Sequence, residues 1–208
     1  MSSHVKPVNI LVLVSGGGTN LQALLNAEKS GGLGPARIRL VVSDKSGIYA
    51  LERAKQAGVA SFTIELDKNK SREERRRALS DEILCLAETH HIDLIVYAGF
   101  LWILKGKIIE VYTGRMINLH PALLPKFGGK GMYGEHVHRA VLAAGETESG
   151  CTVHLVDAGT DTGPILLQRK VLVLPKDSPD SLAERIHKEE HIAIVEAVQI
   201  MAERLSNK

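Results

Sequence analysis

With 208 residues and a hydrophobic fraction of 44%, the chain is long enough to bury a substantial core and reads as a single domain, 1–208. Lysine and arginine number 26 against 24 aspartate and glutamate, so no net field favours nucleic acid or an anionic membrane surface, and a small-molecule partner is expected. Only Cys85 and Cys151 are present, too few for a disulfide framework; neither lies in a CxxC pair, both read as buried small apolar residues, and a reducing, cytoplasmic setting is expected. Met1 to Pro7 lacks the apolar stretch of a signal peptide, and no run approaches the roughly 18 apolar residues of a membrane span.

Val8 to Val14 is a near-continuous apolar run, the pattern of a parallel strand buried on both faces, and Ser15-Gly16-Gly17-Gly18-Thr19-Asn20 follows it directly. A helix starting near Asn20 carries Leu21, Leu24 and Leu25 on one face and ends at Gly31-Gly32. Strand, glycine turn and helix open a βαβ unit, and the free amides at the helix start make an anion site whose natural guest is a phosphate. The dinucleotide fingerprint fits Gly16 and Gly18 but fails where Leu21 stands, and no lysine follows to make a Walker loop. Thr19 and Asn20 suit one terminal phosphate instead. A turn that needs glycine only for its dihedrals has the same sequence pattern.

The α/β rhythm continues with a strand over Arg37 to Ser43, a helix over Gly47 to Ala57 and a strand over Ser61 to Leu66. Ser71 to Glu88 reads as a helix with Leu79, Ile83 and Leu86 inward and its charges, including Arg75 to Arg77, solvated; His90 and His91 close it. Asp93 to Ala98 is another buried strand, with Gly99-Phe100-Leu101-Trp102-Ile103-Leu104 at its C-terminal end, the edge where ligands lie in open α/β sheets. That apolar patch, holding the single tryptophan, suits either a flat ring or core packing.

Arg115 to Leu119 is a short strand ended by Pro121, within the stretch Asn118-Leu119-His120-Pro121-Ala122-Leu123-Leu124-Pro125-Lys126. Residues two apart on a strand share a face, so Asn118 and His120 look into one pocket. An amide donor beside a titratable ring suits a reaction that builds negative charge on oxygen while protons move. A polar strand end satisfied by local hydrogen bonds has the same spacing. A glycine-rich loop from Gly128 to Gly134 follows, then a helix over Glu135 to Ala144, on which His136 and His138 point apart and make no metal pair. Cys151 to Val156, carrying His154, and Pro164 to Leu174 form a hairpin extension around the acidic loop Asp157 to Pro164, and Ser178 to Leu205 is a long closing helix with Ile186, Ile194 and Val198 near one face. The fold expected is α/β, a Rossmann-like doubly wound, mostly parallel sheet with a C-terminal strand-loop-strand extension and a closing helix. A nucleotide-binding half spans about residues 8–100 and a catalytic half about 101–205.

Taken together, Ser15-Gly16-Gly17-Gly18-Thr19-Asn20-Leu21, Asn118 through Pro125, and Asp161-Thr162-Gly163-Pro164-Ile165 resemble the phosphoribosylglycinamide formyltransferases, over about Val8 to Val198. The last two motifs are shared with other formyltetrahydrofolate-using enzymes; the glycine motif marks the branch. Methionyl-tRNA formyltransferase and formyltetrahydrofolate deformylase carry extra domains for which this chain has no room. The resemblance implies that Asn118, His120 and Asp161 are catalytic, and that Gly17, Gly18, Thr19, Asn20 and Glu190 hold glycinamide ribonucleotide. It also implies that Arg72, Leu101, Trp102, Ile103, Leu104, Asn118 and the loop Asp157, Ala158, Gly159, Thr160 and Asp161 line the formyl-folate site. Its co-substrate would be 10-formyltetrahydrofolate, with no metal, no nucleic acid and no membrane, in a monomer or weak homodimer. The chain departs from the family pattern at Trp102, where many relatives carry a basic residue, and in its longer Gly128 to Gly134 turn.

On that resemblance the ribonucleotide amine attacks the formyl carbon, Asn118 and a protonated His120 hold the resulting oxyanion, and Asp161 keeps the imidazole charged. His154 is expected to orient the others. Two other classes fit parts of the pattern. A nicotinamide oxidoreductase would use Gly16, Gly18 and Asp44, with Leu21 against it; a ligand-binding protein without catalysis would leave Asn118, His120 and Asp161 coincidental.

Overall fold

The computed structural model describes residues 6–207, so most of the Met1–Pro7 segment lies outside the described residues. The elements run β1 (Val8–Val14), α1 (Thr19–Lys29), β2 (Ala36–Ser43), α2 (Tyr49–Gln56), β3 (Ala60–Thr63), α3 (Arg72–Thr89), β4 (Leu94–Tyr97), α4 (Lys107–Val111), β5 (Met116–His120), α5 (Glu135–Ala143), β6 (Glu148–Leu155), β7 (Ile165–Leu172) and α6 (Pro179–Ser206). They build one seven-stranded sheet of order β3-β2-β1-β4-β5-β6-β7, parallel through β5 and antiparallel at β5–β6 and β6–β7. This is the expected doubly wound sheet with its hairpin extension.

Apolar side chains fill both faces, as a mostly parallel sheet requires. On one face Ile10, Val12 and Val14 pack with Leu21 and Leu24 of α1 and with Ile186, Ile194 and Val198 of α6. On the other, Leu11 and Leu13 pack with Leu79 and Ile83 of α3 and Ile108 of α4. Alternate residues of β1 thus serve opposite layers, which explains its unbroken apolar run. Strand order reverses where β1 lies between β2 and β4, and the crevice at that switch point is where such sheets bind ligands. The loops after β1 and β4 are tied together there: Ser15 N–H donates to the Gly99 carbonyl at 3.1 Å, and Leu101 N–H to Ser15 Oγ at 3.1 Å.

Several expectations need correction. The third strand is four residues long and ends at Thr63 rather than Leu66. The inward face of α3 is Leu79, Ile83, Leu84 and Ala87, while Leu86 is only partly buried. Cys85 is exposed on that helix, because the turns that face α4 and the sheet leave it on the outer side; Cys151 is buried as expected. Arg75 and Arg76 are only partly solvated: Arg75 lies 5.9 Å from the centroid of the Trp102 ring, and Arg76 pairs with Glu73 at 3.4 Å with a side chain only 16% exposed, while Arg77 is exposed as expected. Five-residue α4 left no signal, being too short to show a helical period. The first residues of β6, Glu148 to Gly150, precede the expected start and pair with Leu172 to Lys170.

Candidate active site

The catalytic candidates converge at the C-terminal end of β5. Asn118 and His120 share one strand face, and antiparallel pairing sets His154 of β6 directly opposite Asn118. Asp161 reaches in from the loop between β6 and β7 with φ 57°, a left-handed conformation that costs a non-glycine residue energy and marks a position held for a purpose. Its carboxylate is the hub. Oδ1 accepts from Asn118 Nδ2 at 3.4 Å and lies 3.5 Å from His154 Nε2; Oδ2 accepts from Gly129 N–H at 2.9 Å and lies 3.6 Å from His120 Nδ1. His154 Nδ1 sits 2.9 Å from the Leu155 carbonyl and must carry a proton, so its Nε2 accepts from the Asn118 amide at 3.1 Å. Both hydrogens of that amide are therefore engaged, one by His154 and one by Asp161.

His120 is 3% exposed, and its Nε2 is 2.8 Å from the Phe127 carbonyl, so Nε2 carries a proton. Burial lowers its pKa; Asp161 and the Phe127 carbonyl push the other way without overcoming it. The ring at rest is neutral, with Nδ1 open beside Asp161. This corrects the expectation of a histidine already charged by Asp161: the carboxylate acts in the expected direction, but desolvation of a nearly enclosed ring is the larger effect. For Asp161 burial alone would raise the pKa, and the Gly129 N–H bond together with the neighbouring His154 and His120 rings outweighs it, leaving the group ionised and below its ordinary value.

The phosphate-site candidates occupy the start of α1. Gly18 caps the helix at φ 73° without a side-chain cap, and the exposed Gly16, Gly17 and Thr19 surround free amides. Asn20 and Glu190, 170 positions apart, meet: Asn20 Nδ2 donates to Glu190 Oε2 at 3.5 Å, and the same oxygen accepts from His187 Nδ1 at 2.7 Å. Glu190 is 4% exposed, and Asn20 Oδ1 is buried without a hydrogen-bond partner among the described residues. His187, one helical turn before Glu190, escaped the sequence reading; its spacing of three residues on α6 was the available signal.

The folate-site candidates form two walls. Leu101 to Leu104 follow β4 on one side of β5, with Leu101 53% exposed and Leu104 buried. Asp157 to Asp161 follow β6 on the other, where Asp157 Oδ1 accepts from Gly159 N–H at 2.9 Å and Thr162 Oγ1 at 2.7 Å and sets the loop's turn. Ala158 is exposed and Thr160 partly so. Trp102 is pinned, its Nε1 donating to Asp44 Oδ2 at 3.0 Å with Arg75 near its face, and Ile103 is half-buried. Arg72 is exposed at the first position of α3 and makes no hydrogen bond or ion pair with this group among the described residues. Among the described residues no cluster of three metal-ligating side chains occurs, and no helix is long and apolar enough to cross a membrane. Leu21 is wholly buried in the core, so the last glycine of a dinucleotide fingerprint has no counterpart, and Asp44 is committed to the indole.

The histidines around the site set an acid limit on stability. Burial lowers the pKa of His120, His138 and His191, so each folded ring resists protonation. Below the ordinary value of about 6.5 the unfolded chain binds more protons than the folded one, and stability falls as pH drops. His187, raised by its bond to Glu190, works in the opposite sense: its contribution is complete below the ordinary value and fades as pH rises through the folded one. Three groups oppose one, so the melting temperature is expected to be lower at about pH 5.5 than at about pH 7.5. An unchanged or higher value in acid would mean that the rings are charged in the folded protein.

A family model for formyl transferases matches residues 8–198. Phosphoribosylglycinamide formyltransferase of Escherichia coli strain K12 is 41% identical over 184 residues, covering 88% of this chain and 82% of that protein. The trifunctional purine biosynthetic protein adenosine-3 of Drosophila melanogaster is 43% identical over 193 residues, covering 92% of this chain; the chain spans only 14% of that relative's length. Among solved structures, glycinamide ribonucleotide transformylase 1 from Symbiobacterium toebii superposes with a TM-score of 0.84 at 38% identity, covering 95% of this chain and 89% of that one.

Proposed function

The chain belongs to the formyl transferase family, and from that premise we propose that it moves a formyl group from 10-formyltetrahydrofolate to the amine of glycinamide ribonucleotide in purine biosynthesis. The observation that carries this reading is the Asp161 carboxylate gathering Asn118, His120 and His154 at the end of β5, and the uncapped helix start after the glycine loop supports a phosphate-bearing substrate.

In the proposed reaction the amine nitrogen attacks the formyl carbon, a carbon–nitrogen bond forms, and the carbonyl electron pair moves onto oxygen. As the tetrahedral species collapses, the bond to N10 of the folate breaks, and N10 receives the proton that the amine gives up. The oxyanion is the species to be stabilised. His120 Nε2–H, donated to Phe127 at rest, is one donor it would draw; the Asn118 hydrogen on the longer bond to Asp161 is the other. Negative charge arriving beside His120 raises its proton affinity, and Nδ1, facing Asp161, is where the amine proton would be taken up.

A transfer assay with both substrates, run against a control for simple hydrolysis of the formyl-folate, tests the reading. Asn20→Ala is expected to raise the KM for the ribonucleotide about tenfold, since a buried polar contact is lost, with little change for the folate. Hydrolysis without transfer, or an equal rise for both substrates, would refute the assignment.

A further inference from the structure

The carbonyls of Gly16 and Gly17 are held by α2, and this turns the amides that follow them away from that helix. Ala50 N–H donates to the Gly16 carbonyl at 3.3 Å, and Arg53 Nε donates to the Gly17 carbonyl at 2.9 Å. In a trans peptide the carbonyl of one residue and the N–H of the next point in opposite directions. The two bonds therefore aim the N–H groups of Gly17 and Gly18 away from α2. Arg53 is itself fixed: its Nη1 donates to Gln22 Oε1 at 2.8 Å, and its guanidinium lies 4.6 Å from the centre of the Tyr49 ring.

Charge points the same way. The stretch Ser15 to Gln22 contains no lysine or arginine, so from its own residues a phosphate would meet only the partial charges of the helix start. A phosphate monoester near neutral pH carries a charge of about −1.5 to −2. Among the described residues Arg53 is the cation bonded to the loop, and a guanidinium on a carbonyl polarises the peptide, strengthening the N–H at its other end. Neither the glycine motif nor the resemblance singled it out.

We propose that Arg53 is a positioning residue of the phosphate site: through the Gly17 carbonyl it orients and polarises the Gly18 N–H, and its charge completes the field that holds the ribonucleotide phosphate. The proposal rests on the formyl-transfer reading above. Its test compares transfer to glycinamide ribonucleotide with transfer to the dephosphorylated riboside, for the unsubstituted chain, Arg53→Met and Arg53→Lys. In Arg53→Met the preference for the phosphorylated substrate is expected to fall about tenfold or more, the loss typical of a charge-assisted bond. It should appear as a raised KM for the ribonucleotide, with the KM for formyl-folate little changed. Arg53→Lys, which keeps the charge without the planar fork, should recover part of the preference. Should circular dichroism show Arg53→Met unfolded, the preference is read from Arg53→Lys and from Gln22→Ala, which frees Nη1. A preference unchanged in the variants, or equal losses on riboside and ribonucleotide, overturns the proposal and leaves the formyl-transfer reading standing. Absence of transfer by the unsubstituted chain fails that reading instead. Thermal stabilisation by inorganic phosphate, present in the unsubstituted chain and lost in Arg53→Met, then decides the role of Arg53 by itself.

Discussion

His120→Asn is expected to lower kcat for formyl transfer by about 10²- to 10³-fold, the loss typical of one oxyanion donor, while the KM for the ribonucleotide moves little. Asparagine still offers an N–H but cannot gain a proton, so the variant separates donation from proton uptake. Asp161→Asn should cost a similar amount for a different reason. The carboxylate accepts from Asn118 on one oxygen and from Gly129 N–H on the other, and an amide in its place must turn an NH₂ toward one of those two donors. Either Asn118 loses its orientation or the loop at Gly129 loses its anchor. Asp161 also supports the proton affinity of His120 against the effect of burial, so its removal lowers that pKa further. The loss is therefore expected to be larger at about pH 8 than at about pH 6. In the double variant the two losses should fall well short of multiplying, because both residues serve one proton transfer. Fully multiplicative losses, with the same pH profile in both single variants, would separate Asp161 from the task of His120 and defeat the proposed mechanism.

What the sequence made legible divides along the line between local and distant contacts. The run Val8 to Val14, the glycine turn and the Leu21, Leu24, Leu25 face are read within single elements, and each falls where its periodicity places it. The shared face of Asn118 and His120 follows from a spacing of two on a strand. Asp161 was reached only through the resemblance, since nothing in a loop 41 positions after His120 says that its carboxylate closes on that ring. The neutral state of His120 was misjudged because charge partners are visible in a sequence and enclosure is not: the strands and loops that bury the ring are contributed by β5, β6 and the Phe127 segment together. Arg75 was assigned to solvent by the charge run around it, and Trp102, a distant residue, is what holds it. Arg53 lies on a helix with an ordinary charged pattern, and only the packing of α2 under the glycine loop shows what it touches.

Gly18→Ala should destabilise the chain and weaken ribonucleotide binding at the same time. At φ 73° an L-residue costs about 1–2 kcal/mol, and glycine alone avoids it. The added Cβ would also stand 2.6 Å from Ala50 Cβ and 2.9 Å from Ala50 Cα, and the second contact is with backbone that cannot rotate aside. Overpacking of this kind costs about 1–3 kcal/mol, so the total expected in urea denaturation is about 2–5 kcal/mol. Relief requires α2 to withdraw, which pulls Ala50 N–H from the Gly16 carbonyl and Arg53 from the Gly17 carbonyl and lets the loop amides turn. The KM for the ribonucleotide should rise in step, and the KM for formyl-folate much less. Adding Ala50→Gly removes the Cβ contact but leaves the dihedral strain, so the double variant should be less destabilised than the two single changes summed, even though glycine in a helix costs about 1 kcal/mol itself. Gly16→Ala and Gly17→Ala meet nothing within 4 Å and have no positive φ, and both should be near neutral in stability. If Gly18→Ala were equally mild, or if Ala50→Gly gave it no relief, the close contact between the loop and α2 would not be what requires glycine at position 18.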